Sequence, residues 1–200
     1  MLPKIILASQ SPRRKQLLEW AEIPFEIIVQ HTDENYPSHI PQDDVPVYIA
    51  HQKALAVQNY LAEQKNNSLE IKPILAADTV VILDNKIIGK PATKNEAVNT
   101  LKLLSGKQHK VITGVVILHG EKEISFSDTT FVHFHPLTNE QIEFYVDKYK
   151  PYDKAGAYAI QEWIGVIGIK SMNGDFYNVM GLPVSKVVQQ LMKFKIINPT

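Results

Sequence analysis

Short, strongly apolar runs of β-type composition recur along the chain, separated by stretches with helical periodicity. They are Ile5–Ala8, Ile74–Ala77, Val80–Leu83, Val111–Leu118 and Ile124–His135. An all-helical chain has no use for such runs. An all-strand chain has no use for the amphipathic segments between them, so the pattern points to an α/β fold built on a sheet. Glu26–Val29 reads as a further strand, and Ile164–Lys170 as another. The chain has 200 residues, 44% of them hydrophobic, enough for one packed core or for two small lobes. No tract resembles a long linker, which predicts a single, two-lobed unit over residues 1–200.

Local signals punctuate the helices. Ser11 and Pro12 suit the N-cap and first position of a helix with Leu17, Trp20 and Ala21 on one face. A second helix, from about Pro46 to Leu61, places Ala50, Ala54, Val57 and Leu61 inward. Lys65–Ser68 reads as a polar loop, and Asp84-Asn85 as a turn into Ile87-Ile88. Thr93–Glu96 and Thr138–Gln141 have the form of capping boxes. The helix after the first ends at Ser105-Gly106; the second opens a helix through Tyr145. Pro183–Phe194 closes the chain as a helix with Val184, Val187, Val188 and Leu191 inward.

Composition excludes several functions. Lysine plus arginine and aspartate plus glutamate both number 21, so nothing global attracts long nucleic acid or an anionic membrane. The absence of cysteine removes disulfides, thiol catalysis and cysteine–zinc sites. No apolar run reaches the roughly 20 residues of a membrane span, and the N-terminus has no signal-like apolar region, so a cytoplasmic protein is expected. His133 and His135 share a strand face, but no third ligand lies near, and surface histidines are the simpler account. Walker A, dinucleotide-fingerprint and nucleophile-elbow patterns are all missing.

Four segments carry chemistry-bearing residues. In Ser9-Gln10-Ser11-Pro12-Arg13-Arg14 a strand gives way to hydroxyls and a helix start. A helix N-terminus favours anions, whereas cations oppose its dipole, and an anionic ligand would reconcile the two arginines with that position. In Ala76-Ala77-Asp78-Thr79-Val80-Val81 a carboxylate interrupts an apolar run. It is either a turn residue between two short strands or a functional group facing a cleft. Asp33, Glu34, Lys53 and Lys90 lie near element ends and supply the charges that phosphoryl chemistry uses. Finally, Asp153–Gln161 and Gly174–Pro183 are rich in small residues, and the Gln161 amide is suited to reading a base edge.

In this order the segments resemble the Maf family of nucleoside triphosphate pyrophosphatases. The resemblance runs through Leu7–Arg14, Lys53, Ala77-Asp78-Thr79, Gly89-Lys90-Pro91, Leu104-Ser105-Gly106, Thr113-Gly114-Val115, Asp153–Gln161 and Gly181-Leu182-Pro183. Asp153-Lys154-Ala155-Gly156-Ala157-Tyr158 followed by Ile160-Gln161 is similar to the branch acting on dTTP and UTP. Ala159 and Glu162 depart from it, standing where that branch usually has glycine.

The resemblance implies a mixed, strongly curved central sheet flanked by helices, in two lobes with an active-site cleft. It implies hydrolysis of the triphosphate to a nucleoside monophosphate and pyrophosphate, a house-cleaning role in nucleotide pools. Asp78 corresponds to the proton acceptor; Arg13, Thr79 and Gln161 to residues of substrate choice; Ser9, Arg14, Glu34, Lys53 and Lys90 to the polar pocket. Glu34 and Asp78 would hold a divalent Mg or Mn ion. A nucleoside triphosphate is then the partner, with neither long nucleic acid nor a membrane, and a homodimer is an allowed assembly. The alternatives are a purine or modified-nucleotide pyrophosphatase and a nucleotide-sensing, septation-linked interaction protein.

Overall fold

The computed structural model of the chain describes residues 4–64 and 72–197; the polar loop expected at Lys65–Ser68 lies outside them. The strands are β1 (Ile5–Leu7), β2 (Phe25–Ile27), β3 (Ile74–Leu83), β4 (Lys86–Ile88), β5 (Gln108–His119), β6 (Lys122–Phe134) and β7 (Ile169–Asn173). The helices are α1 (Pro12–Trp20), α2 (Val45–Glu63), α3 (Lys94–Leu104), α4 (Asn139–Tyr149), α5 (Trp163–Gly168), α6 (Phe176–Met180) and α7 (Val184–Lys193). A 3-10 turn spans Ala155–Ala157. The strands form a seven-stranded sheet in the order β2-β1-β3-β5-β6-β7, with β4 paired to β3. It is mixed: β1 runs parallel to β2 and β3, whereas β4 is antiparallel to β3 and β7 to β6. The α/β class expected from the sequence is therefore observed.

The described chain divides into two compact units. The first contains the residues up to Asp78, then Thr113–Ser127 and the segment from Gly181 onward. Its core is a sheet face against α2. Ile6 and Ala8 of the first strand segment, Ile74 and Ala76 of β3, and Val116 and Leu118 of β5 form one cluster with Ala50, Ala54 and Val57 of α2. Strand residues two apart share a face, and helix residues four and seven apart share a stripe, so the small alanines let α2 sit close to the sheet. At Gly114 of β5 the strand and the helix are in direct backbone contact. A Cβ there would lie 2.2 Å from Val47 N and 2.3 Å from Pro46 C, so only glycine allows the strand to pass beneath the start of α2.

The second unit comprises Thr79–Ile112 and Asp128–Met180. Here α3 packs against α4 and against the 3-10 turn. Thr93 caps α3 by accepting from Glu96 N, and the Glu96 carboxylate accepts from Ala92 N rather than from the cap residue itself. At α4 the box is complete: Thr138 Oγ1 accepts from Gln141 N and Gln141 Oε1 from Thr138 N. Gly106 follows α3 at φ +70°, the left-handed conformation that ends helices. Asp84 and Asn85 both take positive φ, as a tight hairpin between β3 and β4 requires.

Several expectations from sequence are corrected. The runs Ile74–Ala77 and Val80–Leu83 are one strand of ten residues, so Asp78 is not a turn residue but sits inside β3. The run Ile164–Lys170 is not a strand: Trp163–Gly168 is helical and β7 begins at Ile169. A short apolar run has no period that separates helix from strand, and Gly165 decides locally, because a Cβ there would fall 1.8 Å from Ile160 O. Trp20 does not face the core. It is 59% exposed, while Leu17 and Leu18 are buried. Helix α4 runs four residues beyond Tyr145, to Tyr149, and the small-residue stretch after Gly174 contains the short helix α6.

Candidate functional site

Asp78 continues the face of β3 that Ile74 and Ala76 present to α2, since the three alternate along the strand. A carboxylate in that row would be buried without compensation. Lys53 supplies it: lying between Ala50 and Val57 on α2, its Nζ donates to Asp78 Oδ1 at 2.7 Å. The same ammonium donates to Glu34 Oε1 at 2.8 Å. Glu34 comes from the long connection between β2 and α2 and is the more exposed carboxylate. One lysine thus draws together two acidic groups from a strand and a loop. Removing one partner from such a buried pair costs far more than the pair itself contributes.

The turn from β1 into α1 is the second component. Pro12 stands at the first helical position after Ser11, although Ser11 makes no side-chain cap. Ser9 is buried, and its Oγ accepts from Ser11 N at 3.2 Å and from Arg14 Nη1 at 3.0 Å. A hydroxyl has two acceptor sites and one hydrogen, so Ser9 retains a hydrogen to give to an oxyanion. Arg14 is buried and donates its Nε–H to Gly181 O at 2.8 Å. Burial holds the Arg14 guanidinium below its usual value; Asp78 and Glu34 act in the opposite direction, and the neighbouring Arg13 adds to the lowering. Arg14 is accordingly a bracket tying α1 to the Gly181-Leu182-Pro183 segment, while half-buried Arg13 is the more exposed cation of the pair.

The first unit therefore brings together Ser9, Arg13, Arg14, Glu34, Lys53 and Asp78. Thr79, Lys90 and Gln161 belong to the second unit, with Lys90 and Gln161 exposed. Three contributors have roles that the sequence does not announce, although Gly181 and Lys154 lie within the segments that carry the resemblance. Gly181 acts through its carbonyl, at φ +118°, which no side-chain motif can announce. Tyr145 and Lys154 hold Glu162, one of the two residues that depart from the resemblance. Tyr145 Oη donates to Glu162 Oε2, and Lys154 Nζ lies 3.7 Å from Glu162 Oε1 and 2.7 Å from Asp153 Oδ1. The charge that the sequence places beside Gln161 is thereby paired within its own unit.

A divalent ion can be tested against the donors. No group of three or more histidine, aspartate or glutamate residues that could hold a metal occurs among the described residues, at His133 and His135 or elsewhere. Glu34 and Asp78 together offer two carboxylates, each with one oxygen engaged by Lys53. Two carboxylates, with waters and phosphate oxygens completing the shell, are the usual donor set for Mg²⁺ at a nucleotide, so the residues fit such an ion. Among the described residues no helix is long and apolar enough to cross a membrane.

Comparison with known proteins agrees with the motif order. The family described as Maf-like protein matches residues 4–194. A protein of Cytophaga hutchinsonii named dTTP/UTP pyrophosphatase is 49% identical over 195 residues, covering 98% of this chain and 85% of its own. A Bacillus cereus protein of the same name is 46% identical over 195 residues, covering 98% and 97%. A Parabacteroides distasonis relative, again so named, is 47% identical and covers 96% of each chain. With its motifs in order and its family pattern spanning nearly every residue, this chain belongs to the Maf family.

Proposed function

We propose that this chain hydrolyses dTTP and UTP to the nucleoside monophosphate and pyrophosphate. Two kinds of support converge: the activity for which relatives at 46–49% identity over nearly the whole chain are named, and the Lys53 bridge. The bridge carries the reading. A strand carboxylate held by an ammonium, with a second carboxylate on that ammonium, is a costly arrangement for a fold to keep without chemical use.

In this reading the Ser9 hydroxyl and Arg13 hold phosphate oxygens, with Lys53 and Lys90 adding positive charge where negative charge accumulates. Arg14 supports the turn from behind through Ser9 and Gly181. Asp78 accepts a proton from water. The water oxygen bonds to the α-phosphorus as the bond to the bridging oxygen breaks, and pyrophosphate, the better leaving group, departs. Glu34 and Asp78 are the residues that would hold Mg²⁺ or Mn²⁺, whose charge offsets that of the phosphates and acidifies nearby water. Thr79 and Gln161 read the pyrimidine, the amide serving a carbonyl and a ring N–H together.

A panel of nucleoside triphosphates, with and without divalent ions, tests the proposal when both pyrophosphate and orthophosphate are measured. Expected are pyrophosphate release, preference for dTTP and UTP, and loss of turnover with chelator. Orthophosphate as the sole product, or a purine preference, overturns it.

A further inference from the structure

Gln161 stands on a short loop that a single buried phenol holds on both sides. Tyr145, fully buried on α4, accepts from Ala159 N at 3.2 Å and donates to Glu162 Oε2. The other Glu162 oxygen faces the Lys154 ammonium, which is itself 8% exposed and salt-bridged to Asp153. Backbone bonds tighten the same loop: Glu162 N donates to Ala159 O at 3.1 Å, and Gly165 N to Glu162 O at 2.9 Å. Gln161 is thus flanked by residues whose positions are set, while it is exposed itself.

Such a polar network is a poor source of net stability, because desolvating lysine, carboxylate and phenol offsets most of the attraction. What it supplies is geometry. A glutamine amide pairs with the carbonyl and N–H of uracil or thymine, and after a half-turn it pairs equally with the amino group and ring nitrogen of cytosine. Discrimination at that position therefore depends on how firmly the root of the side chain is held.

We infer that Glu162, tied to Tyr145 and Lys154, is a positioning residue for Gln161 and sets how strictly uracil and thymine are chosen over cytosine. The inference rests on the reading of Gln161 as the base contact. Glu162 does not touch the reacting atoms. Its effect is exerted through the loop, so it belongs to KM and base preference rather than to the chemical step.

The test is kinetic, on the full chain, with UTP and CTP as probes and melting temperature recorded for each variant. Glu162→Gly and Tyr145→Phe are expected to lower the UTP/CTP ratio of kcat/KM by about tenfold, the scale of a single pocket contact, chiefly by raising KM for UTP. Glu162→Gln keeps an acceptor for the phenol and is expected to keep most of the ratio. Gln161→Ala separates base contact from positioning. If it leaves the ratio intact, the base-contact reading fails. If it collapses the ratio while folded Glu162→Gly and Tyr145→Phe keep it, the positioning role alone is overturned. A uniform fall in kcat for both nucleotides with the ratio unchanged also overturns it.

Discussion

Arg14 donates its Nε–H to the carbonyl oxygen of Gly181 at 2.8 Å, joining residues 167 positions apart. With Nη1 on Ser9 Oγ, one guanidinium fixes both the turn after β1 and the approach to α7. Lysine has no second donor plane to span both acceptors. Arg14→Lys is therefore expected to lose about 1.5–3 kcal/mol of stability, the worth of a hydrogen bond from a charged donor. Denaturant unfolding measures the loss, and KM for the triphosphate is expected to rise as Ser9 loosens.

Asp78→Asn leaves an oxygen for Lys53 to bind but no group to take up a proton. Turnover is expected to fall by roughly 10²- to 10⁴-fold, the usual contribution of a general base, with nucleotide binding retained. Pyrophosphate release under saturating substrate, beside a binding isotherm, checks both halves. Full activity in the variant would remove Asp78 from the chemistry.

Gly114→Ala puts a methyl group 2.2 Å from backbone N of Val47, where no side chain can swing aside. Either β5 or the first turn of α2 has to shift. Overpacking of this kind costs about 1–3 kcal/mol or more. For a chain of this length each kcal/mol moves Tm by roughly 2–4 °C, so a drop of several degrees is expected by calorimetry.

His109 is buried beside Phe134, and its Nε2 shares a 2.8 Å hydrogen bond with Tyr158 Oη. Its Nδ1 has no hydrogen-bond partner among the described residues. Burial, with a smaller contribution from His133, lowers its pKa to about 4. The unfolded chain thus takes up the proton first as pH falls. The stability associated with neutral His109 is complete above about 6.5 and is lost progressively down to about 4. The loss amounts to about 3 kcal/mol in total. Urea unfolding across that window is expected to show it, and His109→Phe to flatten the slope.

The elements legible in the sequence were those with local cause. Pro12, Thr93, Thr138 and Gly106 each do chemistry within a turn of chain, and each marks a helix boundary where the structure has one. Residue type and order mark the turn Ser9–Arg14 and the residues Glu34, Lys53 and Asp78. What could not be read was the pairing among them. Lys53 meets Asp78 only because the alternation of β3 and the stripe of α2 come into register, which depends on Gly114 letting the helix down onto the sheet. A charge in an apolar run resembles a break, so the sequence leaves Asp78 open between a turn residue and a functional group, and only its partner 25 positions away makes an unbroken strand tolerable. The acceptor of Arg14, a glycine carbonyl, likewise has no signature in the sequence.

Lys53 gives the two acidic groups a counter-ion that is covalently part of the chain. One of the two negative charges is consequently offset before anything diffuses in, and the two carboxylates are held together without a dissolved cation. In the proposed reading, a divalent ion held by Glu34 and Asp78 would then be needed for turnover rather than for the fold. Scarcity of metal would slow such a protein without unravelling it, and its working speed would follow the metal-bound fraction of the nucleotide pool.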